Sequence, residues 1–214
     1  MNVVAFTSRV SGSGKSMLAA HLSAQTDSSN SAVIIDATLN GSLASWHERR
    51  GGNSPILLRC EGTEIVDTLE SVRREKIKWV FLDTDASTQA EGVRAAHLVV
   101  VPLRPSASVL SFAAAAGMIE MGRALSKTAL LVINAAPARR ADGSEHPSVA
   151  AARKGLTPLG VSVWPWQITK RTAFSEAFAS GQTVGESASD SPAVGEVLAL
   201  WETVKLYLQK QATM

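Results

Sequence analysis

The segment Ser11-Gly12-Ser13-Gly14-Lys15-Ser16 follows the apolar run Val3-Val4-Ala5-Phe6. A buried strand that enters a Gly-rich turn ending in Gly-Lys-Ser is how a phosphate-binding loop is built. The glycines let backbone N–H groups curl around phosphate oxygens. Lys15 would reach the β- and γ-phosphates, and the Ser16 hydroxyl would ligate Mg²⁺. A helix starting there, through Met17, would aim its N-terminus at the charge. The full pattern places Gly six residues before the lysine, where this chain has Arg9. The plain alternative is a Gly/Ser-rich turn with no ligand.

Two acids sharpen the reading. The run Val80-Phe81-Leu82 ends in Asp83, and Val33-Ile34-Ile35 ends in Asp36. An acid at the carboxyl end of an apolar strand beside a phosphate loop is the Walker B arrangement, which holds Mg²⁺. The alternative for Asp83 is a turn-starting aspartate. Both acids and the loop fall on one edge of the sheet, where open α/β sheets bind ligands.

The elements that must position these groups follow from apolar runs alternating with helical patterns. This points to an α/β fold, a mostly parallel sheet with helices on both faces. Strands are predicted at Val3–Phe6, Ala32–Ile35, Trp79–Leu82, Leu98–Val101, Ala129–Ile133 and Val161–Trp164, with Pro55–Leu58 as a candidate extra strand. Helices are predicted at Lys15–Ala24, Ser42–Arg49, Thr88–Ala96, Ala107–Leu125, Thr172–Ala179 and Ala193–Leu208. Thr26–Ser31 and Ala135–Ser148 read as loops, the second long enough to be functional.

The 214 residues, 45% hydrophobic and 19% charged, are expected to form a single P-loop NTPase domain over 1–214. One cysteine, Cys60, leaves no internal disulfide framework and fits a reducing, cytoplasmic setting. Four histidines and one cysteine make a structural zinc site a poor fit. No run reaches the ~20 apolar residues of a membrane span, so no membrane role is expected. A net charge of +2 permits nucleic-acid binding through a local patch without arguing for it.

The wording and order of these pieces resemble the ParA/MinD family of ATPases with a deviant Walker A loop, most nearly its small plasmid partition proteins. The likeness runs along almost the whole chain. The first loop is similar to that family's Lys-Gly-Gly-Val-Gly-Lys-Thr segment. Asp36-Ala37-Thr38-Leu39-Asn40-Gly41-Ser42 resembles its Asp-x-Asp-Pro-Gln-Gly-Ser stretch, and Leu82-Asp83-Thr84 its Asp-Thr-Pro-Pro site. Val101-Pro102-Leu103-Arg104-Pro105-Ser106 is similar to its Val-Pro-x-x-Pro-Ser strand end. Val132-Ile133-Asn134 matches a strand that positions an adenine-contacting Asn. Ile168–Phe174 and Gly181–Val184 resemble its C-terminal region.

The resemblance implies ATP and Mg²⁺ as cofactors and a homodimer that sandwiches ATP. It implies non-specific binding of double-stranded DNA, and release when a ParB-like or other partner protein stimulates hydrolysis. The setting it implies is the nucleoid, with a cargo distributed over it. Lys170 and Arg171 lie where the family carries basic surface residues, and Arg139, Arg140, Arg153 and Lys154 are candidates for the same patch.

Two departures bear on chemistry. The family's signature lysine, which crosses the dimer to the partner's phosphates, aligns with Val10, and Arg9 is adjacent. Its second aspartate, which positions the attacking water, aligns with Thr38. A hydroxyl orients water but is not a carboxylate base. Asp85 stands as either a substitute carboxylate or a turn-capping residue. The chain therefore keeps what binds phosphate and metal (Lys15, Ser16, Asp83, Asp36) and loses what speeds hydrolysis. Slow or partner-dependent turnover is expected. A degenerate adaptor acting through protein contacts is the alternative.

Overall fold

The computed structural model describes residues 1–26, 32–51, 54–105, 109–160 and 162–212. Its centre is a seven-stranded sheet. The strands are β1 (Asn2–Phe6), β2 (Ala32–Ala37), β3 (Ile56–Arg59), β4 (Trp79–Thr84), β5 (Leu98–Leu103), β6 (Thr128–Ile133) and β7 (Ser162–Val163). They lie in the order β3-β2-β4-β1-β5-β6-β7, and every pair is parallel. Parallel neighbours need crossovers, so helices must cover both faces.

The register does the positioning. Phe6 pairs with Asp83, and Asp36 pairs with Asp83 from the other side. The end of β1 and both acids are therefore level at the carboxyl edge, and the phosphate loop leaves the sheet beside them.

Alternation along each strand splits the core in two. Val4, Phe6, Ile34, Phe81, Val100 and Val132 face one layer. That layer is built from α1 (Lys15–Ser23), α2 (Ser42–Arg49), α7 (Thr172–Ala179), α8 (Val184–Ser187) and α9 (Pro192–Ala212). Val3, Ala5, Val33, Ile35, Val80 and Leu82 face the other. It is covered by α3 (Ile65–Arg74), α4 (Gln89–Ala95) and α5 (Val109–Ala124), with α6 (Pro147–Leu156) at its rim.

Three helices go beyond the sequence expectation. Helix α3 buries Ile65, Leu69 and Val72, a spacing that places them on one face. The loop expected over Ala135–Ser148 stops at His146, which caps α6 by accepting from the Ser148 amide. Helix α8 starts in a capping box between Thr183 and Glu186. The Pro55–Leu58 run is an edge strand, β3.

Of the strand expected at Val161–Trp164, β7 holds Ser162–Val163; the Trp164 amide still donates to the Leu131 carbonyl at 2.8 Å, and its buried indole N–H donates to Thr203 at 3.0 Å. Residues 27–31 of the Thr26–Ser31 loop, Ser106, the 107–108 start of the fourth predicted helix, and Val161 lie outside the described residues.

Candidate functional site

The loop between β1 and α1 folds around its own amides. Gly14 takes φ 102°, left-handed, and caps α1. A Cβ there would stand 2.0 Å from Asn134 Nδ2, so only glycine fits. The amides of Gly12, Gly14, Lys15 and Ser16 find no acceptor among the described residues. Free amides at a helix N-terminus make an anion site. Lys15 Nζ donates to the Ser8 carbonyl at 3.3 Å, folding back over the loop. Burial lowers the pKa of the Lys15 ammonium, against the raising pull of Asp83 and Asp85.

Ser16 Oγ donates to Asp83 Oδ2 at 2.5 Å. Asp83 is fully buried, and its Oδ1 has no partner. Burial pushes this carboxyl up to about 7; Asp36 adds to the rise, while the Ser16 hydrogen bond and Lys15 oppose it. A half-satisfied buried carboxylate beside a serine lone pair suits a hard, oxygen-seeking divalent cation. Ser16 and Asp83 thus fit the Mg²⁺ role. No cluster of three acidic, histidine or cysteine ligands exists among the described residues, as expected where phosphates and water complete the shell.

Asp36 is occupied otherwise. Its Oδ1 accepts from the Thr38 amide at 3.1 Å and from the Thr38 hydroxyl at 2.6 Å, and its Oδ2 accepts from the Ala44 amide at 3.2 Å. The acid therefore shapes the turn into α2 and accepts from one amide of its first turn, that of Ala44. The same Thr38 hydroxyl lies 2.9 Å from Asn40 Oδ1. Asp85 accepts from the Leu39 amide at 2.9 Å and from the Ser87 amide at 2.8 Å. Although burial raises its pKa, these bonds and one from the Ser87 hydroxyl hold it below the usual carboxylate range. It ties two loops together as a turn-capping carboxylate.

Two clefts meet at the loop. One, of about 510 Å³, is lined by Ser8, Ser11, Gly12, Lys15, Thr38 and Asp85 among others. The other, of about 570 Å³, is lined by Asn134, Ile168, Thr169, Lys170, Arg171 and Phe174 among others. Gly14, Met17 and Phe178 belong to both. Asn134 Nδ2 donates to the Ser13 carbonyl at 2.6 Å, fixing β6 to the loop, and its buried Oδ1 is unpartnered. Ser13 is itself buried, with an unpartnered hydroxyl.

The basic residues do not form one free patch. Lys170 and Arg171 line the second cleft, and Arg171 pairs with Glu196 at 3.1 Å. Arg153 pairs with Glu145 at 2.8 Å and donates to the carbonyls of Trp164, Pro165 and Trp166, which makes it a clamp on the chain after β7. Arg139 is 3.9 Å from the same Glu145. Sequence reasoning missed this clamp, and it missed the position of Arg104, whose guanidinium stands against Gly12. Neither contact has a local sequence signal.

Solved structures share this fold. McdA from Cyanothece, without ligand, is 14% identical and superposes at a TM-score of 0.75, covering 97% of this chain and 99% of that one. The fold is that of the ParA/MinD ATPases. MinD from Pyrococcus horikoshii, a septum site-determining protein complexed with Mg-ADP, is 13% identical at a TM-score of 0.67 over 95% of each chain. A cobyrinic acid a,c-diamide synthase from Mycobacterium smegmatis, with an ATP analogue and magnesium, is 15% identical at 0.63, over 96% of this chain and 93% of that one. No family profile and no curated protein matches the sequence. The ParA/MinD fold thus hosts more than one chemistry, and function must be argued from the site.

Proposed function

We propose that this chain is a ParA-like, ATP-responsive switch that binds ATP–Mg²⁺, pairs with a second copy and engages double-stranded DNA without sequence preference. The observation that carries the reading is the Ser16–Asp83 hydrogen bond beside Lys15 and the free amides of the loop. Lys15, Ser11–Met17 and Asn134 would hold the nucleotide, and Ser16 and Asp83 the cation. The bound Mg²⁺ would neutralise phosphate charge. ATP then acts as a ligand that favours one association state, and hydrolysis removes it.

Turnover on this reading is slow. Val10 supplies no cation to a partner subunit. Thr38 is no carboxylate and its hydroxyl proton is committed to Asp36, and Asp85 is held by the Leu39 and Ser87 amides, so neither stands as an uncommitted base for an attacking water. A ParB-like or other partner protein would supply what is missing, and a nucleoid-associated place in the cell follows from DNA binding. The same engagement favours the second reading, an adaptor that works through protein contacts without turnover.

Sedimentation of the chain without nucleotide, with ADP–Mg²⁺ and with ATP–Mg²⁺ tests the switch. A dimer with ATP alone, absent in Lys15→Ala, supports it. An unchanging state in all three moves the conclusion to the adaptor.

A further inference from the structure

We infer that Arg104, at the end of β5, is a phosphate-binding residue that compensates nucleotide charge from within the same chain, in place of the cation that Val10 cannot provide. This rests on the nucleotide-switch reading above and adds a residue to it.

Three observations carry it. First, Gly12, at φ 69°, has open space on its Cβ side except for one atom: Arg104 Nη2 lies 3.8 Å from where a Cβ would be. A planar guanidinium therefore stands directly on the loop. Second, it is uncommitted. Arg104 is exposed and makes no hydrogen bond or ion pair among the described residues, whereas Arg171 and Arg153 are spent on Glu196 and Glu145. Third, the cleft it lines presents Arg104, Lys170 and Arg171 and no carboxylate. Such a lining attracts a polyanion and has nothing to hold the guanidinium away from it.

The loop's own arginine is placed differently. Arg9 Nη1 lies 3.5 Å from the Cβ position of Gly117, so its guanidinium rests on α5. Arg9 also lines the phosphate cleft, whereas Arg104 lines the Asn134 cleft and reaches the loop at Gly12. From there it meets the phosphates nearer the base, which ADP and ATP share. Its five donors allow a bidentate grip on phosphate oxygens that a lysine cannot make.

The test is titration of fluorescent ATP and ADP analogues with Mg²⁺ against the full chain and its Arg104→Ala, Arg104→Lys and Lys15→Ala variants, at low and moderate salt. Arg104→Ala is expected to weaken both nucleotides by about tenfold and to flatten the salt dependence, with Arg104→Lys recovering part of the loss. Its melting temperature should stay unchanged, because the side chain has no partner to lose. The unaltered chain's affinity for ADP, which does not drive pairing on this reading, should not depend on protein concentration, as a contact within one subunit requires. Binding by Arg104→Ala within twofold of the unaltered chain, while Lys15→Ala fails, overturns this inference and leaves the switch standing. ADP affinity that rises with protein concentration overturns the same-chain contact. Failure of the unaltered chain to bind either nucleotide overturns both.

Discussion

Ser16 and Asp83 are 67 positions apart, yet the serine hydroxyl donates to the buried carboxylate across 2.5 Å. The bond joins the first turn of α1 to the end of β4. It leaves Asp83 Oδ1 unpartnered in the interior, where an unpaired carboxylate oxygen is costly. A cation or its water completes the arrangement.

Asp83→Asn tests this pairing. The amide keeps the shape and removes the charge. Affinity for ATP in Mg²⁺ should fall by roughly 10- to 100-fold, while affinity in EDTA changes little, because only the metal-dependent part is lost. Equal losses in both conditions would show that Asp83 acts on the loop and not on a cation.

Turnover should be recoverable. Val10→Lys is expected to raise the ATPase rate, since one well-placed donor is worth about 10²–10³ in rate. Thr38→Asp should add to it, with a cost. The new carboxylate would stand where a hydroxyl now sits 2.6 Å from Asp36, so the melting temperature should drop. A steady-state phosphate assay and a thermal melt read the two effects.

Asn134 links β6 to Ser13 over 121 positions. Asn134→Ala should destabilise the fold by about 1–3 kcal/mol in denaturant unfolding, the range for stranding a buried partner. Asn134→Asp, which turns an acceptor toward the Ser13 carbonyl, should be worse. Equal stability of all three would mean that the bond is incidental.

Two groups lose stability on acidification, while Asp83, raised from 3.8 to about 7, gains it over the interval between those values. Burial lowers His21 to about 4, opposed by its Met17 carbonyl contact and by Glu186. A folded pKa below the unfolded 6.5 means that the fold prefers the neutral ring. Its contribution is complete above pH 6.5 and is lost as pH falls toward 4, on the order of 3 kcal/mol. Glu186 is held at about 2 by Arg50, against its burial, so its contribution persists above 4.5 and fades below that. In an Asp83→Asn background, which removes the opposing titration, stability should fall in two stages on acidification, and adding His21→Phe should diminish the first and leave the second. A pH series of denaturant melts checks this.

Much of the site is written locally. The loop is legible because Gly12, Gly14, Lys15 and Ser16 are contiguous, and Asp36 and Asp83 because each ends an apolar run. Strand order and register then place them together. The contacts that qualify the site are not local. Nothing near Asn134 announces Ser13, and nothing near Arg104 announces Gly12. Charge alone groups Arg153 with Arg171, whereas packing gives each its own acid. Asp36 shows a further limit: its strand-end position is readable, but its use by Thr38 and Ala44 emerges only once the turn is folded. Sequence reasoning missed helix α3 altogether, although Ile65, Leu69 and Val72 carry a helical spacing, because only three buried residues mark it in an otherwise polar stretch.

The most direct test of the switch is binding to a non-specific DNA duplex at low salt, without nucleotide, with ADP and with ATP–Mg²⁺, using Lys15→Ala as control. The account predicts binding with ATP–Mg²⁺ alone, weakening steeply as salt rises and absent in the control. Binding that ignores nucleotide, or no binding in any state, would contradict it.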